Sequence, residues 1–398
     1  MKRFILIHYG EIGLKKSNIT YFLDKLRKRL RFVLQDEFKI NYSIKHTLGR
    51  FLVSLPDDFS VDDEAKYVEV LFKVFGIQNF KFVYESVIDL DDLGEKIWEN
   101  LPDYVLNTEL KPRTFRVLVK RSMPLPFKSI ELEREIGARL LRRGIEIKVK
   151  MVDPEFVVDL EFFNDHSYFS FKKYRGAGGL SANSQGRFVS LISSGIDSPV
   201  ASYMMMRRGA RVIFVHFHAY PFSDKSEMEN VKSLVGVLSG YQFDTKLYLV
   251  PFGKFQKSIS TNLDIPSKIR TVLYRRLMVR IAERIARNEH AKGLITGDNL
   301  GQVASQTPEN MFAVHDASTI PMFYPLIGFD KEETVNLAEK IGTFKISKLP
   351  CSDSCTMFMP ERPELKANIY DVREYEKFLP INEWVEGVLK ESEVINLK

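Results

Sequence analysis

The sequence predicts a multidomain α/β protein: two small mixed units, then a larger one built on a doubly wound parallel sheet. Three observations carry this. The chain has 398 residues, enough for two or three domains at about 150 residues each. Apolar runs of strand length alternate throughout with stretches of helical periodicity. Near residue 180 the pattern changes from short, partly alternating strands to the strand–helix repetition of a parallel sheet. Apolar residues make up 44% and charged residues 28%, which excludes a disordered or fibrous chain. No apolar run approaches the roughly 18 residues that span a bilayer, so no membrane association is expected. The apolar start, Phe4–Ile7, lacks a small-residue cleavage site and reads as a first strand rather than a signal peptide. Two cysteines exclude a disulfide scaffold and point to a reducing cytoplasm.

In the first unit, residues 1–80, Phe4–Ile7 is a strand and Tyr21–Leu34 a helix with Phe22, Leu26, Leu30 and Val33 on one stripe. Strands follow at Tyr42–Ile44 and Phe51–Leu55. A second helix buries Val68, Leu71, Phe72 and Phe75 and stops at Gly76, before the strand Phe80–Tyr84. This β-α-β-β-α-β order is ferredoxin-like. The second unit, residues 81–171, holds a helix near Leu93–Leu101 and the strand Thr114–Lys120. Next comes a helix Ser129–Arg143, capped by Ser129 with Glu131 and Glu133 in its first turn, then strands Ile145–Val149, Val157–Leu160 and Tyr168–Phe171. Residues 172–180, basic then glycine-rich, read as a linker. In the third unit, residues 181–398, strands Phe188–Ile192, Val212–His216, Lys246–Val250 and Gly293–Thr296 alternate with helices Pro199–Arg208, Lys225–Leu238 and Ser267–Asn288.

In such a sheet, ligands sit beyond the carboxyl ends of strands, where a loop feeds a helix N-terminus. Here that loop is Ser193-Ser194-Gly195-Ile196-Asp197-Ser198-Pro199. Its small residues let backbone N–H groups approach an anion, its hydroxyls add donors, and Pro199 suits a first helical turn. It lacks the Gly-Lys-Ser/Thr tail of a Walker loop, and no glycine trio fits a dinucleotide fingerprint. The loop resembles the SGGxDS motif of the PP-loop ATP pyrophosphatases, which split ATP between its α and β phosphates and transfer AMP to an oxygen. By that resemblance Asp197 helps hold Mg²⁺, Ser193, Gly195 and Ser198 cradle phosphate, and Ser194 lies with them in the ATP site. Ser194 stands where the motif usually has glycine; were φ positive there, the serine would cost about 1–2 kcal/mol.

Thr296–Thr307 resembles the TGE-x-LGQVASQT segment of tRNA 4-thiouridine synthetases (tRNA sulfurtransferases). Tyr9–Lys15, Lys120-Arg121, Ile192–Ala201, Pro325–Gly328 and Ala338–Thr343 match the same family in the same order. The resemblance implies an N-terminal ferredoxin-like domain, a THUMP domain and a PP-loop domain. It implies that backbone at Leu191-Ile192 and His216-Phe217 surrounds adenine and ribose of ATP, with Arg275, Gly293 and Gln302 completing the pocket. Arg276 fits nearly as well as Arg275. His216 and His218 read otherwise as ordinary strand polarity, not as metal ligands. Asp298 is either a second acidic group near the phosphates or a turn residue.

The segment Leu349–Pro360 holds both cysteines, Cys351 and Cys355, as C-x-x-x-C, which is neither a thioredoxin pair nor half of a zinc site. In the family a cysteine here carries the sulfur; Cys355, followed by Thr-x-Phe-x-Pro, matches better. Many relatives resolve the spent sulfur with a cysteine of a C-terminal rhodanese domain. Only 43 residues follow Cys355, too few for one. Cys351 is therefore the candidate resolving thiol, and a separate cysteine desulfurase or rhodanese the expected persulfide donor.

The formal net charge is +6, but residues 1–50 carry 12 basic and 4 acidic side chains, 51–100 carry 4 and 12, and 101–150 carry 12 and 6. Two basic blocks suit phosphate contacts, with Lys120, Arg121, Lys128 and Arg134 as leading candidates. The family expectation is binding of the tRNA acceptor end, a homodimer, and in some relatives service to a thiamine sulfur-carrier protein. The leading reading is thus 4-thiouridine formation at tRNA position 8. Its rivals are a PP-loop ligase that aminates a base or acid, which needs no cysteine, and a non-catalytic tRNA-binding protein.

Overall fold

The computed structural model describes residues 1–106, 112–144, 147–351 and 358–397, in two compact units, Met1–Gly179 and Leu180–Lys398. In the first, β1 (Arg3–Tyr9), α1 (Ile19–Phe38), β2 (Ile44–Thr47), β3 (Arg50–Ser54), α2 (Glu64–Phe72) and β4 (Ile77–Ser86) form an antiparallel sheet in the order β2-β3-β1-β4. That is the ferredoxin-like arrangement. The α1 stripe is Phe22, Leu26, Leu30 and Leu34 rather than Val33, the residues that fall every four positions along one helical face. Helix α2 ends at Phe72, four residues before Gly76, and buries Tyr67 and Leu71.

Strand β4 does not end with the first motif. Its far end pairs antiparallel with β8, so the strands of the next elements extend the same sheet; these elements are α3 (Leu90–Glu99), α4 (Asp103–Leu106), β5 (Thr114–Arg121), α5 (Ser129–Arg142), β6 (Lys148–Val149), β7 (Phe156–Phe163), β8 (His166–Ser170) and β9 (Tyr174–Arg175). Helices α3 and α5 cover β5 and β7 through Leu93, Ile97, Leu132, Ile136, Phe115 and Val158. Ser129 is the first helical residue rather than the cap; the Glu131 carboxylate accepts the Lys128 N–H at 2.9 Å instead. The glycine-rich stretch read as a linker carries β9, which pairs with β4. The two halves also share a buried ionic knot. Glu161 lies 2.7 Å from both Arg50 and Lys81 and 3.0 Å from His8, and Lys81 lies 2.7 Å from Asp159. Burial alone would raise the Glu161 carboxyl, but His8 and Lys81 hold it far below the usual carboxylate range.

In the second unit a six-stranded sheet runs β14-β13-β10-β11-β12-β15. Its elements are β10 (Arg187–Leu191), α6 (Asp197–Arg207), β11 (Arg211–His218), α7 (Ser226–Ser239), β12 (Thr245–Pro251), α8 (Gly253–Thr261), α9 (Arg270–Asn288), β13 (Leu294–Ile295), α10 (Pro308–His315), β14 (Met322–Phe323), α11 (Lys331–Ile341), α12 (Phe344–Ser347), α13 (Ile369–Glu376), α14 (Ile381–Glu391) and β15 (Glu393–Leu397). Five strands are parallel, as the repeating pattern requires, while β15 adds an antiparallel edge to β12 that the sequence reading did not assign. The long helix is shorter than expected at its start, where Ser267–Ile269 is a 3₁₀ turn. Among the described residues no helix is long and apolar enough to cross a membrane.

Candidate active site

The chain leaves β10 for β11 through α6 but reaches β13, its other neighbour, only after β12. Crossovers therefore depart in opposite directions on the two sides of β10, and the crevice of a doubly wound sheet opens at that switch point. The loop Ser193–Ile196 occupies it. The Ser198 hydroxyl accepts the Ser193 N–H at 2.9 Å and lies 3.1 Å from the Ser193 hydroxyl, so the loop closes on the first turn of α6. Ser194 is not among the residues of positive φ; the serine that replaces the usual glycine is unstrained. Gly195 also lacks a positive φ, and a Cβ on it would meet only Ser193 Oγ, at 3.5 Å. The fold does not demand glycine there. What it leaves is an open surface at the N-terminus of an 11-residue helix, where free N–H groups and the helix dipole favour an anion.

Asp197, the first residue of α6, lies with Oδ1 2.8 Å and Oδ2 3.1 Å from Lys331 Nζ, and accepts from Gln302 Nε2 at 3.1 Å. Gln302 is thus beside the loop. Lys331, at the start of α11, was missed: no motif marks it, and only the fold brings it across 134 residues. Gly293 is not brought to the loop. It precedes β13, its carbonyl accepts the Val189 N–H at 3.0 Å, and a Cβ there would lie 2.6 Å from the Pro321 carbonyl oxygen. Its glycine is a requirement of the sheet. Gly297, at the far end of β13, is the glycine that abuts the loop: a Cβ on it would lie 2.6 Å from Ser198 N.

The next residue, Asp298, is buried and takes both oxygens to Arg275 NH2 at 2.6 Å, with Gln306 Nε2 at 3.2 Å. Burial would raise its carboxyl, but Arg275, Thr296 and Gln306 hold it below the ordinary value, so it is an ionised partner and not a simple turn residue. Arg276, one residue on, points elsewhere and is buried against Asp316 and Glu376; Arg275 is the arginine of the crevice. Gln306 joins Arg275 and Asp298 there and was not singled out, because the sequence motif contains two glutamines of equal standing.

Leu191 and Val215 are register partners, and the Ile192 N–H donates to the Val215 carbonyl at 2.9 Å. The strand ends expected around adenine and ribose are therefore adjacent. His216 is fully buried and donates Nδ1–H to the Ile192 carbonyl at 3.1 Å, leaving Nε2 without a partner among the described residues. Burial lowers this ring to about 4, so it is neutral at pH 7. Phe217, on the opposite face of the strand, packs on Phe252 at 5.4 Å.

The end of α12 and the segment after it rest on the same loop and on α7. The Ser347 hydroxyl donates to the Gly195 carbonyl at 3.1 Å, Asn230 Nδ2 to the Leu349 carbonyl at 3.4 Å, and Cys351 Sγ to Ser194 Oγ at 3.5 Å. Cys355 lies outside the described residues. The chain is next described at Phe358, whose carbonyl accepts from Tyr274 at 3.2 Å. Among the described residues there is no group of three or more metal-ligating side chains.

In the first unit Lys120, Arg121 and Lys128 flank the loop after β5, which Arg121 closes by donating to the Phe127 carbonyl at 2.9 Å. Burial lowers Lys120, and Asp159 lies 3.7 Å from its ammonium. Arg134 is exposed on α5. Arg50, from β3, reaches the Ser122 hydroxyl at 2.7 Å and joins this group; nothing in the sequence ties it to residues 70 positions away.

The family model described as thiamine biosynthesis protein (ThiI) matches residues 183–381, that of the ThiI ferredoxin-like domain residues 4–80, and that of the THUMP domain residues 88–172. A probable tRNA sulfurtransferase of Thermus thermophilus is 38% identical, covering 99% of this chain and 94% of its own. One of Caldanaerobacter subterraneus is 36% identical over 100% of both. A crystal structure of a 4-thiouridine synthetase–RNA complex with bound ATP matches with a TM-score of 0.89 at 31% identity, over 100% of both chains.

Proposed function

The chain belongs to the ThiI family, and from that premise we propose that it transfers sulfur to uridine in tRNA, at position 8, at the expense of ATP. The C4 oxygen of uracil is amide-like and a poor leaving group. Its attack on the α-phosphorus breaks the α–β bond and makes AMP the leaving group, while pyrophosphate departs toward Ser193–Ser198. Lys331 supplies a cation beside that loop, and the Arg275–Asp298 pair lines the crevice. Asp197 suits Mg²⁺, which is commonly held by one or two carboxylates together with phosphates; the ion would neutralise pyrophosphate charge.

The terminal sulfur of a Cys355 persulfide then attacks C4, and AMP leaves with the C–O electron pair. The Cys351 thiolate attacks the Cys355 sulfur, the S–S pair stays with the transferred sulfur, and thiouridine is released. A Cys351–Cys355 disulfide remains, for a cellular dithiol to reduce. The persulfide comes from a separate desulfurase or rhodanese. The observation that carries this reading is Cys351 Sγ at 3.5 Å from Ser194 Oγ, a thiol beside the phosphate loop that an amine ligase would not need. Cys355 is four residues further, at most about 14 Å along the chain. Lys120, Arg121, Lys128 and Arg134, with Arg50, contact the tRNA acceptor end. Homodimerisation, cytoplasmic action and supply of sulfur to a thiamine carrier protein are carried over from the family resemblance.

The test combines the protein with ATP, Mg²⁺, unmodified tRNA and either sulfide or a persulfide donor. Near-ultraviolet absorbance of thiouridine is expected with both. With the donor, Cys355→Ser abolishes the product and Cys351→Ser limits it to about one turnover. Absence of thiouridine under both conditions rejects the proposal; full turnover by Cys351→Ser removes its resolving role.

A further inference from the structure

The loop that follows β11 carries two exposed aromatic rings, Tyr220 at 44% and Phe222 at 36%. It begins where His218 ends the strand whose backbone borders the nucleotide crevice. Each ring has an ammonium against its face: Lys225 Nζ lies 5.1 Å from the Tyr220 centroid, and Lys257 Nζ, from α8, 5.6 Å from that of Phe222. Among the described residues neither ammonium is paired with a carboxylate. The loop is held firmly. Phe222 N–H donates to the Ala219 carbonyl at 2.8 Å and its ring meets Phe358 edge-on at 5.7 Å. It folds so closely over α8 that a Cβ on Gly253 would lie 2.7 Å from the Phe222 ring.

Exposed rings beside cations that no carboxylate neutralises are the equipment of a single-stranded nucleic-acid site, where bases stack on the rings and phosphates meet the cations. The proposed reaction needs such a site, because the C4 oxygen of a uridine stacked within folded tRNA cannot reach an α-phosphorus until that base is taken out of its stack. We propose that Tyr220 and Phe222, with Lys225 and Lys257, form the platform that receives the unstacked nucleotides of the tRNA at and beside the reacting uridine. This rests on the thiolation reading above. Tyr220 supplies the stacking face and the lysines take the flanking phosphates, so Tyr220 acts on the step that presents the base, and the lysines act on affinity.

The test uses the full chain in the sulfide-driven thiolation assay, with binding of labelled ATP measured alongside. Tyr220→Ala should lower kcat/KM for tRNA about 5- to 100-fold, the range for losing one base–aromatic stack. Tyr220→Phe should restore it, and ATP affinity should stay within about twofold in both. The K225A/K257A pair should raise KM for tRNA and reduce the log–log salt slope by about one to two. Unchanged kcat/KM in Tyr220→Ala overturns the proposal. So does a defect confined to assays with a protein persulfide donor, which would assign the surface to that donor. A wild-type protein that makes no thiouridine fails the underlying reading instead; the salt slope of tRNA binding by the K225A/K257A pair, which needs no turnover, then decides the platform, and an unchanged slope overturns it.

Discussion

Alanine at Gly297 should disable the phosphate loop from behind. The added Cβ would lie 2.6 Å from Ser198 N, 2.8 Å from Ser198 Cα and 2.9 Å from Asp197 C, all backbone atoms that cannot rotate aside. Restoring ordinary contact requires the end of β13 and the first turn of α6 to part by about 0.5–0.8 Å. Overpacking of this kind costs about 1–3 kcal/mol, and for a unit of this size about 2–4 °C in unfolding midpoint per kcal/mol. The functional loss is larger, since a displacement approaching 1 Å in a positioning element costs about 10²-fold. Gly195→Ala is the matched comparison, because its Cβ meets only Ser193 Oγ at 3.5 Å. It should leave the unfolding midpoint unchanged yet weaken ATP binding at least about tenfold by filling the anion surface. Calorimetry and equilibrium binding of labelled ATP check both. Wild-type ATP affinity in Gly195→Ala would refute the placement of phosphate on this loop. Wild-type thiolation in Gly297→Ala would refute the argument from close approach.

Removing Lys331 (Lys331→Ala) should cut thiolation about 10- to 100-fold while changing stability by no more than about 1 kcal/mol, the worth of an exposed ion pair; a normal rate would reduce Lys331 to surface charge. Glu161→Gln should destabilise the first unit by about 3–5 kcal/mol, because Arg50, Lys81 and His8 lose their shared buried counterion, and denaturant titration of the full chain reads this directly. The buried His216 ring resists protonation until about pH 4, whereas the unfolded one protonates near 6.5. Its contribution is therefore complete above pH 6.5 and falls as pH drops, by about 3 kcal/mol at pH 4. His216→Asn should flatten that part of the profile, and an unchanged slope would show that other groups set it.

Much of this molecule was legible in order of residues alone. The small-residue loop between an apolar strand and Pro199, the order of strands and helices on either side of residue 180, and the cysteine pair are local patterns, set by backbone sterics, helix periodicity and side-chain chemistry. What local pattern does not contain is which remote groups meet. Arg275 and Arg276 are indistinguishable in a helical sequence; one turns to Asp298 and the other to Glu376 because adjacent residues on a helix point about 100° apart. Gly293 and Gly297 bracket the same short strand, and only the sheet decides which end faces the crevice. Lys331 has no motif and earns its position from α11 packing beside α6.

The strand and helix periodicities, the small-residue loop before α6 and the spacing of the two cysteines follow from the sequence by itself, because each depends on neighbours within a turn or a strand. The pairing of Asp197 with Lys331, the seating of Cys351 against Ser194 and the ionic knot around Glu161 were decided by tertiary structure. They join residues that lie 80 to 157 positions apart, and no interaction between charges or thiols acts at that separation until packing has closed the distance.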